Sequence, residues 1–113
     1  MLPIDFFYRA AQVHGERIAL EGSEGRYTYS RLHAEVQALA AGLQAMDPTP
    51  RSRVALCAAN STDHVVALLA VLAAGKIWVP INYRSTSAEI GRIIDATEPG
   101  IVIVDALGEP LVM

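Results

Sequence analysis

The arginine at position 84 has the sequence surroundings best suited to chemistry. It closes the run Val79-Pro80-Ile81-Asn82-Tyr83-Arg84, in which an apolar strand meets a proline that cannot donate to a sheet ladder and gives way to polar residues. In a parallel sheet this point lies beyond the carboxyl end of a strand, where open α/β folds place their ligands. A planar guanidinium there suits a phosphate, which it can grip through paired, charge-assisted hydrogen bonds. The structural alternative is that Arg84 pairs with a loop carbonyl or a nearby carboxylate.

Other arrangements of reactive residue types carry less. Ser61, Asp63 and His64 are the residue types of a nucleophilic triad, but close neighbours on a helix point about 100° apart per residue and cannot converge. They are expected to form a first helical turn, with Asp63 complementing the dipole. Gly75-Lys76 lacks both the upstream glycine and the following Ser or Thr of a phosphate loop, and Gly22 and Gly25 do not make a dinucleotide fingerprint. His14, His33 and His64 fall on separate elements, so no metal ligands are assigned. Glu21 and Glu24 read as solvated turn carboxylates with no apolar surroundings to raise a pKa. Cys57, the single cysteine, excludes an internal disulfide and lies in an apolar strand, as a core thiol does. No catalytic residue is assigned.

Bulk composition narrows the class. Of 113 residues 52% are hydrophobic, and Lys+Arg 9 against Asp+Glu 12 leaves a net charge of −3. Mean hydropathy is +0.30. A chain of this length fits one domain, 1–113, and buries on the order of 65% of its unfolded surface. The mixed charge offers no footprint for nucleic acid or an anionic membrane. The longest apolar run, Val65 to Ala74, is far short of the ~20 residues a bilayer requires. Met1-Leu2-Pro3-Ile4-Asp5 lacks the basic start of a signal peptide. The expectation is a cytoplasmic protein.

The elements that must position Arg84 follow from periodicity and punctuation. Phe6, Phe7, Ala10, Ala11 and Val13 recur at helical spacing before Gly15. Segments around Ile18-Leu20 and Tyr27, joined through Gly22-Ser23-Glu24-Gly25, predict a short β-hairpin. Thr28 is placed to cap a helix whose apolar stripe is Leu32, Val36, Leu39, Ala40, Leu43 and Met46, and Asp47-Pro48-Thr49-Pro50 stops it. Val54 to Ala58 is apolar without alternation, like a strand covered on both faces. Asn60 is expected to cap a helix from Ser61 to Ala74, apolar nearly all round and ended by Gly75. Ile77 to Val79 returns as a strand, with Trp78 and Ile103 expected as core residues of adjacent layers. Thr86-Ser87-Ala88-Glu89 has the form of a capping box and opens a helix buried through Ile90, Ile93 and Ile94. Ile101 to Val104 is a β-branched strand of the fully buried type, and Gly108 to Met113 reads as a segment stopping in mid-sheet. Strands alternating with helices predict an α/β fold: a parallel βαβαβ unit preceded by an N-terminal helix and a hairpin.

Taken in order, Phe6-Phe7 with Arg9-Ala10-Ala11, Arg17-Ile18-Ala19-Leu20, Tyr27-Thr28-Tyr29 with Leu32, Arg53-Val54-Ala55, Asn60, Leu68 to Gly75, Val79 to Arg84, Glu89-Ile90 and Val102 to Asp105 resemble the opening of the adenylate-forming acyl-CoA and aryl-CoA ligases. The resemblance runs over essentially the whole chain, and its specificity lies in the joint order and spacing of the pieces. Two departures stand out. Arg31 occupies a position three after Thr28 that is commonly acidic in the family, and Arg51-Ser52 stands where Gly-Asp is favoured.

The resemblance implies the N-terminal part of a larger ligase domain. Such ligases use ATP and magnesium to convert a carboxylic acid, fatty or aromatic, to an acyl-adenylate, then pass the acyl group to the thiol of coenzyme A. The family's phosphate loop, ribose-binding acids, adenine-stacking aromatic and catalytic lysine lie downstream of the matched segment, so these 113 residues alone are expected to be inactive and to take no cofactor. The one functional residue carried over is Arg84, which matches an arginine that approaches the coenzyme A nucleotide phosphate in some aryl-CoA ligases. Apolar surface left for the missing portion implies self-association of the isolated chain. The competing reading is a standalone, non-catalytic α/β binding or interaction module; a receiver-type signalling domain fails because Val54 to Ala58 leads into Ala59-Asn60 with no acidic cluster.

Overall fold

A computed structural model describes residues 2–22 and 25–112. Among them the order is α1 (Pro3–Val13), β1 (Ile18–Gly22), β2 (Gly25–Thr28), α2 (Tyr29–Met46), β3 (Arg53–Cys57), α3 (Thr62–Ala73), β4 (Ile77–Ile81), α4 (Ser87–Thr97), β5 (Ile101–Val104) and α5 (Glu109–Val112). β1 and β2 pair antiparallel as the expected hairpin, while β4, β3 and β5 form a parallel sheet in that order. Ser23 and Glu24, part of the expected turn, lie outside the described residues.

The sheet divides the core in two. On one face Val54, flanked by Trp78 and Ile101 in register, packs with Leu32, Val36, Ala40 and Leu43 of α2 and Val66, Ala70 and Val71 of α3. On the other, Ala55 and Cys57 pack with Ile81 and with Ile90 of α4. Residues of opposite parity along β3 therefore serve opposite layers, and the whole of Val54 to Cys57 is buried, as its unbroken apolar pattern predicted. α3 packs against α2, α1 and β4, which accounts for its near-absence of a polar face.

Several local expectations are corrected. Ser61, not Asn60, caps α3: its hydroxyl accepts from the His64 backbone N–H at 3.2 Å. The buried anchor of α1 is Ile4, with Phe7 half-buried, while Phe6 and Val13 are 67% and 62% exposed. Met46 at the end of the α2 stripe is 74% exposed. Trp78 and Ile103 share one face and one core rather than adjacent layers, because the order β4-β3-β5 sets them on either side of β3 with the same parity, and both are half-buried. β5 is an edge strand in which Ile101 alone is buried. The segment after it is not strand but the short helix α5, whose Leu111 and Val112 pack on the second core. Of the expected capping box on α4, the forward half forms, from Glu89 N–H to Thr86 Oγ1 at 3.2 Å.

The two departures from the ligase pattern have visible consequences. Arg51 adopts φ +59°, a left-handed conformation that a glycine takes without penalty and that costs an L-residue roughly 1–2 kcal/mol. Arg31 cannot close a capping box, but its guanidinium lies 4.0 Å from the Tyr27 ring centroid and 4.0 Å from Glu35 one turn on. Thr28 still caps α2, accepting from the Arg31 N–H at 3.1 Å.

Candidate functional site: a cleft at the carboxyl ends of the sheet

β3 and β4 run parallel and end together at Cys57 and Ile81. Beyond them opens a cleft of about 550 Å³ lined by Ala58, Asn60, His64, Pro80, Ile81, Asn82, Tyr83 and Arg84. The loop after β3 thus supplies one wall and the loop after β4 the other. Their divergence is the expected result of α3 and α4 leaving on opposite faces of the sheet.

Arg84 is exposed on this cleft. Its backbone N–H donates to Asn82 Oδ1 at 2.9 Å, an Asx turn that fixes the loop. Its Nε donates to the Tyr83 hydroxyl at 3.3 Å, and its guanidinium carbon sits 5.6 Å from that ring's centroid. Among the described residues no carboxylate comes within ion-pair distance of it, and no acidic side chain lines the cleft. The guanidinium keeps most of its five donors for another acceptor.

His64 shares the cleft. It is half-buried, edge-on to Trp78 with centroids 6.0 Å apart, and its Nδ1 is buried without a hydrogen-bond partner. Ser61 and Asp63 do not converge with it as a triad: Ser61 caps the helix and Asp63 is exposed in the first turn. Glu21 is taken by Arg26 in an exposed pair at 2.8 Å, the solvated role expected of it; Glu24 lies outside the described residues. Cys57 is buried, and burial first, then the charge of Asp105, pushes its thiol up from the ordinary range, the opposite of what activates a nucleophile.

The residue that sequence reasoning missed is Asp105. Its carboxylate accepts from the backbone N–H groups of Ala59 at 3.0 Å, Gly108 at 2.8 Å and Leu107 at 3.0 Å. These bonds, that from Ala59 foremost, hold its carboxyl below the usual range. One side chain therefore ties the loop after β3 to the loop after β5 and braces the wall of the cleft. The spacing Asp105-Ala106-Leu107-Gly108, an aspartate just past a strand with a glycine three on, was the available signal.

The same architecture recurs in known proteins. Mycobacterium tuberculosis fatty acyl CoA synthetase superposes with a TM-score of 0.91 at 26% identity, over 98% of this chain and 22% of that one. A 7a-methyl-1,5-dioxo-octahydro-indenyl-propanoyl:CoA ligase of Rhodococcus jostii is 36% identical over 96 residues, 85% of this chain and 19% of that ligase. The hybrid PKS-NRPS synthetase lepA of Aspergillus flavus is 30% identical over 102 residues, 90% of this chain and 3% of that synthetase. The chain spans less than a quarter of the length of each of these relatives. With residues 7–112 matching the family of AMP-binding enzymes, and with the ligase fold in place, the chain belongs to that family.

Proposed function

We propose that this chain is the N-terminal domain portion, 1–113, of a cytoplasmic ligase that activates a carboxylic acid with ATP and transfers the acyl group to coenzyme A, and that Arg84 binds a coenzyme A phosphate. The observation that carries the reading is the Arg84 cleft: a guanidinium that has no carboxylate partner among the described residues, at the carboxyl end of a parallel sheet, in a cleft lined by no acidic side chain. That lining fits the nucleotide phosphate of coenzyme A, whose thiol attacks the activated acyl group. Arg84 would hold the phosphate, while Tyr83 and the Asn82 turn fix the direction of its side chain.

The residues present do not fit ATP or magnesium. Among the described residues no three His, Cys, Asp or Glu side chains group as ligands, and there is no glycine-rich loop for the triphosphate. In this reading both would be held by residues outside these 113. No helix of the described residues is long and apolar enough to cross a membrane.

A second reading is supported by the similarity to synthetases such as lepA: the acceptor would then be the thiol of a carrier protein. The uncharged or basic lining around Arg84 accommodates a phosphopantetheine phosphate as well. Carboxylate-dependent ATP–pyrophosphate exchange by the intact enzyme tests the ligase reading, and thioester formation then separates the acceptors. Rapid transfer to free coenzyme A supports the first reading. Exchange without transfer to coenzyme A, but with loading of a carrier domain, would replace it by the second; absence of exchange with any acid would favour the non-catalytic module.

A further inference from the structure

At the opposite end of the sheet lies an arrangement that the ligase reading does not use. Lys76 is the only lysine in the sequence, and it is buried, with 6% of its surface exposed. Lysine is almost never buried unless its ammonium is fully partnered. Here Nζ donates to the Asp47 carbonyl, to the Thr49 carbonyl at 2.5 Å and to Ser52 Oγ at 2.9 Å. Three acceptors meet the three donors of one ammonium.

All three acceptors come from the loop between α2 and β3, and that loop is shaped around them. Asp47 Oδ1 accepts from the Thr49 N–H at 3.1 Å, and the nearby Ser52 hydroxyl helps to hold the Asp47 carboxyl below its usual range. The loop is clamped to the start of β4, with Arg51 N–H to the Gly75 carbonyl at 3.1 Å and Ile77 N–H to the Ser52 carbonyl at 2.9 Å. The two carbonyls thus point inward onto a single compact charge. A planar guanidinium, which spreads its donors over a fork, does not match this cage.

We propose that the Asp47–Ser52 loop is a recognition site for a primary ammonium ion, filled in this protein by the chain's own Lys76, and that vacating it leaves a site for a free alkylammonium. Lys76→Ala removes the atoms of a propylammonium ion and leaves two inward carbonyls and a hydroxyl without their cation. Propylammonium restores charge and volume, 1-propanol restores volume alone, and choline supplies a cation whose quaternary nitrogen has no N–H to donate and is too bulky for the cage.

The test is thermal unfolding of the wild-type chain and of Lys76→Ala in propylammonium chloride, choline chloride and choline chloride with 1-propanol, at matched ionic strength. In choline the variant is expected to melt roughly 5–10 °C below wild type. Propylammonium should restore at least half of that loss with saturable dependence, propanol should not, and the wild type should respond to neither. A variant as stable as wild type in choline, equal rescue by propanol, or no rescue by propylammonium, including a variant unfolded in every salt, would overturn the proposal. A second measurement needs no variant: the Lys76 amine should acylate at least tenfold more slowly in the native chain than in urea, and equal rates would overturn it as well.

Discussion

Replacing Gly108 by alanine probes the join between α5 and the central strand. Gly108 is buried, and an added Cβ would lie 2.7 Å from the Cys57 carbonyl carbon, closer still to its oxygen. Ordinary carbon contacts fall at about 3.5–4.0 Å, so the backbones must separate by about 1 Å or more. Cys57 cannot yield, because β3 is hydrogen-bonded to β4 on one side and β5 on the other. The movement falls on residues 105–112. It breaks the Asp105 bonds to Gly108 and Leu107 and lifts Leu111 and Val112 from the second core.

Overpacking of this kind costs about 1–3 kcal/mol. Release of α5 caps the loss: two half-buried aliphatic side chains contribute roughly 1 kcal/mol each at half the burial value. A destabilisation of about 1–2 kcal/mol corresponds to a fall of roughly 5–10 °C in Tm for a domain of this size. Thermal unfolding followed by far-UV circular dichroism measures it, with amide exchange across 105–112 reporting where the structure has opened. A Gly108→Ala protein that melts within a degree of wild type would refute the close approach of this loop to β3.

Gly42 and Gly91 are the contrasting glycines, since each sits inside a helix with open space where a Cβ would go; alanine at either should raise stability by about 0.5–1 kcal/mol, read from the urea midpoint. Asp105 and Asp47 both have depressed carboxyl pKa values, Asp105 chiefly through the Ala59 N–H and Asp47 chiefly through the Ser52 hydroxyl. Their contribution is present above the unfolded carboxylate value of about 4 and is lost as pH falls through the folded values. Urea midpoints should therefore drop below about pH 4, and less steeply in Asp105→Asn, whereas identical pH profiles would remove Asp105 as a brace. Exposed Leu2, Phe6, Val13, Ile18, Met46, Ile77 and Leu107, together with the outer edges of β4 and β5, should make the isolated chain self-associate; light scattering on dilution checks this, and a monodisperse monomer at high concentration would favour the self-contained module.

Element types were legible because hydrophobic period and punctuation agree along this chain. Gly75, with φ +74°, marks the end of α3 as the sequence suggests, whereas Pro80 does not end β4: it lies in register with Leu56 and the strand runs on to Ile81, because on an edge strand a proline can face away from the ladder. The unbroken run Val54 to Cys57 announces a strand buried on both faces. What periodicity cannot carry is strand order. Nothing local says that β3 lies between β4 and β5, and for that reason the sequence does not show that Ile103 and Trp78 flank β3 on one face. Helix ends were uncertain by one residue at Asn60 and Ser61, where both residue types can cap. The cleft was legible as a place, through Arg84 at the carboxyl end of a strand. Its bracing was not, because Asp105 and Ala59 are 46 residues apart and meet only once the sheet has formed. Lys76, whose surroundings do not make a phosphate loop, serves a structural cage whose oxygens are mostly backbone and therefore invisible in side-chain identity.

Arg84→Ala in the intact enzyme tests the central claim most directly, with the two half-reactions measured side by side. Loss of a charge-assisted phosphate contact costs about 1.5–3 kcal/mol, which is roughly a 10- to 150-fold rise in the KM for coenzyme A when the interaction serves binding alone. ATP–pyrophosphate exchange should stay at the wild-type level, because adenylate forms before the thiol enters. A variant that loses exchange and thioester formation equally, or that only melts earlier, would contradict the assignment of Arg84 to coenzyme A.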